Sequence, residues 1–212
     1  MKARHVALAA MLVLSLNALA DVDGDVARLR QQWEQIKYQG NPRDQEAAFE
    51  KLARESEKVM AQNAGLAEPA IWNGIIEASY AGAKGGLGAL SIVKEARKSF
   101  EQAIAINPKA LEGSAYTSLG SLYYQVPGWP LGFGDDKKAL EYLQKGLELN
   151  PNGIDPNFFF GDFLYRSGDY EGAERALRKA LLAPPRENRA VADEGRRKEI
   201  NELLEKIRNR KR

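Results

Sequence analysis

Residues 160–185 read FGDFLYRSGDYEGAERALRKALLAPP, and the spacing inside this stretch decides the fold. Phe160-Gly161 is followed at the third position by Leu164, and Ala173, Leu177, Ala180 and Pro185 then fall at steps of four, three and five. Each step suits a helical hairpin. Gly161 lets a first helix approach its partner closely, Ala173 keeps the second helix near it, and Leu177 fills the seam. Pro185 stops the second helix without needing its own N–H. Asp169 before Tyr170 has the character of a helix N-cap.

The same steps recur twice upstream, in Ala139, Leu143, Gly146 and Pro151 and in Ala96, Phe100, Ala103 and Pro108. Leu119-Gly120 followed by Tyr123 precedes the middle set, and Pro151 and Pro185 stand 34 residues apart. The pattern resembles the tetratricopeptide repeat, whose period and small-residue positions are distinctive. It covers about residues 66–186. The resemblance implies an all-α fold, a right-handed superhelical stack of about three helical hairpins with the first helix of each lining a concave face.

Working outward, Val22, Val26, Leu29, Trp33 and Ile36 recur at helical spacing until Gly40-Asn41-Pro42. A second helix is expected from Asp44 to Gln62. This hairpin, within residues 21–65, lacks the Leu-Gly pair and terminal proline, so it reads as a degenerate repeat or N-terminal cap. A third helix over 67–82 is followed by the glycine-rich break Gly82 to Gly88 and a helix from Ala89 to Ile106, stopped by Asn107-Pro108. Residues 187–212 form a polar C-terminal capping helix with Ala190, Ile200, Leu203, Leu204 and Ile207 on one stripe, then a basic tail from Arg208.

Residues 1–20 have the pattern of a secretory signal peptide: Lys2, Arg4 and His5, an apolar run from Val6 to Leu16, then Ala18-Leu19-Ala20 before Asp21. The expected cleavage follows Ala20. The apolar run is too short for a membrane anchor and no cysteine follows it for lipidation, so the expected product is periplasmic or secreted, without a membrane anchor. Of the 31 Lys and Arg, Lys2 and Arg4 lie in this segment, as do none of the 29 Asp and Glu. The remainder is formally neutral, which argues against nucleic acid as a partner. His5 is the single histidine and there is no cysteine. That removes His- and Cys-based nucleophile activation, acid–base chemistry and zinc ligation, so no catalytic residue, metal or cofactor is assigned.

With Tyr116, Leu119, Gly120 and Tyr123 turned to neighbouring helices, Thr117, Ser121 and Tyr124 face the other way at steps of four and three. One repeat later the equivalent positions are Phe158, Asp162 and Tyr165, followed by Arg166. Rings, hydroxyls, a carboxylate and a guanidinium suit a peptide or protein segment. The alternative is an ordinary exposed helix face.

Gly161 and Ala173 are 12 residues apart, but Gly120 and Ala139 are 19 apart, so seven residues are inserted in the middle repeat. Gly82 to Gly88 marks a comparable enlargement in the repeat before it, and two long loops are expected side by side on one edge. The middle insertion carries Pro127-Gly128, Trp129-Pro130 and Gly132-Phe133-Gly134. Trp129 and Phe133 either rim a binding site or fold back to fill a gap. The glycines lack the preceding strand and following Lys-Ser/Thr of a phosphate-binding loop.

Asp135-Asp136 has N-cap character, and Asp155 and Asp162, seven apart, are expected in an ion pair near Arg166. Arg186, Arg189, Arg196 and Arg197 either hold a carboxylate ligand or pair with Asp193, Glu194 and Glu199. These readings converge on an exported adaptor that binds another protein or peptide through its concave face and loop edge. The chain also resembles the T-component of TRAP-type solute transporters, which implies a small carboxylate solute with arginine as counter-charge, although the cysteine of lipid-anchored members is missing. A cell-wall hydrolase using only carboxylates, with Asp155, Asp162 and Glu77 as candidates, is the alternative from the enzyme class.

Overall fold

A computed structural model describes residues 22–210; the expected signal segment and its expected cleavage site lie outside the described residues. Helix α1 (22–34) runs into a π-helical turn, Gln35–Gln39. It is followed by α2 (Gln45–Gln62), α3 (Ala67–Lys84), α4 (Ala89–Ile106) and a short 3-10 turn, Ala110–Gly113. Then come α5 (Ser114–Gln125), α6 (Asp136–Leu149), α7 (Ile154–Arg166), α8 (Tyr170–Leu181) and α9 (Ala190–Arg210). No β-strand occurs among the described residues. The helices pack in consecutive pairs, α3 on α4, α5 on α6 and α7 on α8, as a tetratricopeptide-like stack.

Local chemistry sets the helix ends. Asp135 caps α6 by accepting from the backbone N–H of Lys137 and Lys138 at 3.0 and 3.1 Å. Asp169 caps α8 by accepting from Gly172 N–H at 2.8 Å. Asn107-Pro108 and Asn150-Pro151 follow the last turns of α4 and α6.

The seams within pairs close on glycine. A Cβ at Gly120 would stand 2.8 Å from Leu143 Cγ, and one at Gly161 would stand 2.8 Å from Leu177 Cγ, so any larger residue would push the helices apart. Gly74 is the equivalent on α3, where a Cβ would come within 2.6 Å of Phe100 Cε1. The sequence pattern had placed Phe100 but not its partner. Asn73, not a large apolar residue, precedes Gly74; its side chain joins the buried hydrogen-bond chain from Ser56 to Ser99.

Gly74 also corrects the expected pair of long loops. Helix α3 continues ten residues past Gly74, whereas α5 and α7 continue five past Gly120 and Gly161. Helix α4 begins seven residues before Ala96, whereas α6 and α8 begin three before Ala139 and Ala173. The extra length of the first repeat is therefore helical. Gly82 lies inside α3, and the connection is only Gly85 to Gly88, where Gly85 and Gly86 adopt positive φ. Only the middle repeat among these three carries its insertion as a loop, residues 126–135.

The C-terminal helix does more than cap the last repeat. Ile200, Leu203 and Ile207 join the buried cluster of α7 and α8, while Ala192 joins the cluster of α1, α2 and α3 that holds Leu29, Trp33 and Trp72. Ala190, expected on the apolar stripe, is exposed; Asp193 and Arg196 are buried. Beside Ala192, Glu34 pairs with Arg189, Lys37 approaches Glu199 at 3.7 Å, and Gly195 leaves room for the Tyr38 ring. The two ends of the stack thus meet, and the concave face becomes the wall of a chamber.

Candidate functional site

The chamber has a volume of about 890 Å³. Helix α1 contributes Val26, Arg30 and Trp33, α3 contributes Trp72, Ile75 and Ser79, and α5 contributes Ser114, Thr117, Ser118 and Ser121. Helix α7 contributes Asp155, Phe158, Phe159 and Asp162, and the segment into α9 contributes Arg186, Arg189 and Arg196. First helices line it because their partners lie behind them.

Asp155 is the hub of its charged wall. Its carboxylate accepts from Arg186 at 2.6 Å and from Arg196 at 2.8 Å. Arg186 also bonds Asp193 at 2.7 Å, and Arg196 bonds Glu199 at 2.6 Å. Burial alone would raise the Asp155 pKa, but Arg196, Arg186 and Arg189 outweigh it and hold the group well below the usual carboxylate range. The guanidinium of Arg196 lies over Phe158 and Phe159, 4.3 and 4.8 Å from their centroids, and Arg189 lies over Trp72 at 5.4 Å.

Left-handed backbone also borders the chamber. Leu111 and Glu112, both lining the chamber, have φ of 45° and 55°, and Asn188, next to Arg189, has φ of 55°. A left-handed leucine costs on the order of 1–2 kcal/mol, and such outliers gather where a site needs them.

The residues singled out by the sequence separate into four places. Thr117, Ser121, Phe158 and Asp162 line the chamber together. Tyr124 does not line it: its hydroxyl donates to Asp162 at 2.8 Å and its ring packs on Phe163, in the seam between α5 and α7. Tyr165 packs on Tyr170 with Arg210 stacked over both, and exposed Arg166 pairs with Asp162 at 3.1 Å. The two loop rings part company. Trp129 is 90% exposed, whereas Phe133 packs edge-on against Tyr123 under Arg97, 4.6 Å from the ring centroid.

The expected ion pairing near Arg166 holds for Asp162, whereas Asp155 is taken by two arginines beyond α8. Of the four arginines named, Arg186 and Arg196 use acids of α9 as expected, Arg189 crosses to α1, and Arg197 donates to the carbonyls of Leu181 and Ala183. Arg30 and Lys37 were not singled out. A signal existed for Arg30, three residues before Trp33 and four after Val26 on one helix face.

Glu77, the third carboxylate of the enzyme reading, is not in the chamber. It lines a separate cleft of about 290 Å³ with Glu50, Glu57 and Glu95. No group of three or more acidic, His or Cys side chains among the described residues is arranged to hold a metal ion. Burial pushes the Glu77 carboxyl up to about 7, against side-chain hydrogen bonds with Asn73 and Ser99. The folded state therefore keeps a proton that the unfolded chain releases near 4.5. Stability present below that pH is lost as pH rises through 7. Glu77→Gln will remove this loss, on the order of 1–2 kcal/mol after allowance for partial exposure, in urea titrations at pH 5 and pH 8. Equal pH slopes for both proteins would contradict it.

The fold and chamber define a closed stack of helical hairpins. Residues 131–207 match the tetratricopeptide repeat family, from the middle loop through α6, α7 and α8 to Ile207 in α9. Repeats of this family are generally protein–protein interaction modules. No curated protein matches the chain. No helix among the described residues is long and apolar enough to cross a membrane.

Proposed function

We propose that this chain is an exported adaptor that docks a partner protein or peptide along the edge formed by the 126–135 loop. The observation that carries this reading is Trp129, 90% exposed beside Leu131 at 62%, on a loop whose backbone is pinned. Leu131 and Gly132 N–H donate to Gly128 C=O, Gly134 N–H donates to Pro127 C=O, and Asp135 N–H donates to Tyr123 C=O at 2.9–3.2 Å. With the loop backbone already ordered, docking has only the indole's own rotamers left to fix. The loop leaves α5 directly after Gln125, a chamber-lining residue, so the edge adjoins the chamber. Export is supported by the signal-like pattern ending at Ala20.

The test is a photo-crosslinking side chain at position 129 or 131 in growing cells, with exposed position 98 as control. A discrete adduct at the loop positions and none at 98 is expected. Trp129→Ala will leave folding stability within about 0.5 kcal/mol, because the ring is solvated, while abolishing the adduct formed from 131. Equal labelling at all three positions removes the docking reading. N-terminal sequencing of the chain from a periplasmic fraction should begin at Asp21; recovery only from the cytoplasm removes the export part. A second reading, service to a solute transporter, is favoured by the chamber, whose volume falls within the range for small-molecule sites.

A further inference from the structure

Each charged side chain lining the chamber has a hydrogen-bond or ion-pair partner, with one exception. Among its acids, Glu112 accepts from Asn150 at 2.7 Å, Asp162 accepts from Tyr124 and Arg166, and Asp155 and Glu199 are held by arginine. Among its cations, Arg186, Arg189 and Arg196 are each paired, and Lys37 has Glu199. Arg30 is left over. Its Nε is buried with no hydrogen-bond partner, and no ion pair among the described residues reaches its guanidinium. Glu34, four residues on and at the usual spacing for a helical pair, is engaged by Arg189 instead.

We propose that Arg30 is the anion-binding residue of a ligand site in the chamber, and that the ligand is a single carboxylate carried on an apolar body. A buried guanidinium nitrogen without a partner is costly, and a carboxylate satisfies it through two parallel hydrogen bonds. A phosphate would draw on more positive charge than one free guanidinium supplies, and the other arginines are occupied. The apolar body follows from the surroundings. Trp33 shares the face of Arg30, its indole N–H already donates to Ser79 at 2.8 Å, and Phe49, Trp72 and Ile75 also line the chamber. This inference requires the chamber to be a ligand site but not docking at Trp129, so each fails separately.

Isothermal titration of the full chain with straight-chain carboxylates from butyrate to decanoate, each against its own primary amide, tests it near neutral pH. A short apolar peptide with a free C-terminus, against its amidated form, distinguishes a small acid from a chain end; either source engages Arg30. At least one acid should bind about tenfold or more tightly than its amide. Arg30→Gln should erase that preference without lowering the melting temperature, Arg30→Lys should retain part of it, and Arg28→Gln should leave it intact, because Arg28 is exposed and pairs with Asp25 and Glu55. The proposal is overturned if no acid or free-ended peptide exceeds its amide, or if Arg30→Gln keeps the preference.

Discussion

Asp155→Ala will lower folding stability by about 2–3 kcal/mol, below the cost of breaking a fully buried ion pair from one side because the carboxylate itself is 30% exposed. The side chain of Arg196 is only 9% exposed and that of Arg186 is 29% exposed, so neither guanidinium can turn fully to water when the carboxylate goes. Arg196 would retain Glu199 and the faces of Phe158 and Phe159, and Arg186 would retain Asp193. Asp155→Asn keeps shape and one acceptor and should fall between wild type and alanine. Urea denaturation at neutral pH reads the loss as a lowered midpoint at unchanged slope.

The same carboxylate makes a pH signature. Its folded-state pKa is depressed below the ordinary 3.8, so its stabilisation is fully present above that value and is lost only as pH falls through the depressed one. The gap between wild type and Asp155→Asn should stay constant from about pH 8 to pH 5 and shrink progressively in stronger acid. A gap that closes by pH 6 would mean that Asp155 is not the hub of this wall. Glu77 acts in the opposite sense, losing stability as pH rises, so the two carboxylates bracket an intermediate optimum.

The hairpins were legible because each is specified by residues within one repeat: a small residue at the crossing, a large one in the seam, a proline at the end. The closure of the stack was not. It depends on small rotations accumulated from repeat to repeat, and its outcome is the Glu34–Arg189 pair across 155 positions, which no local spacing encodes. The face of α5 was readable for Thr117 and Ser121, but Tyr124 is long enough to reach the seam and find Asp162. The loop insertion was visible as a count of residues. Trp129 and Phe133 have similar chemistry there, and only the backbone path decides which ring meets Tyr123 and which meets water.

The first repeat was half legible, through Phe100 but not Gly74, and that pair supports the second large prediction. Phe100 is 0% exposed and its ring fills the space above Gly74, so Phe100→Ala should cost about 3–5 kcal/mol. Gly74→Ala in the wild-type chain should cost about 1–3 kcal/mol, because a methyl 2.6 Å from Phe100 Cε1 forces the α3–α4 seam open. Combined, the two changes should not add. Once the ring is gone, a methyl at position 74 meets a cavity, and alanine gains about 0.5–1 kcal/mol over glycine inside a helix. Gly74→Ala should then be neutral or stabilising in the Phe100→Ala background, a reversal of sign measurable by urea titration of four proteins. Additive losses would place the constraint on Gly74 in its backbone conformation. The expected reversal places it in the contact with Phe100, making α3–α4 a true counterpart of the Gly120–Leu143 and Gly161–Leu177 seams.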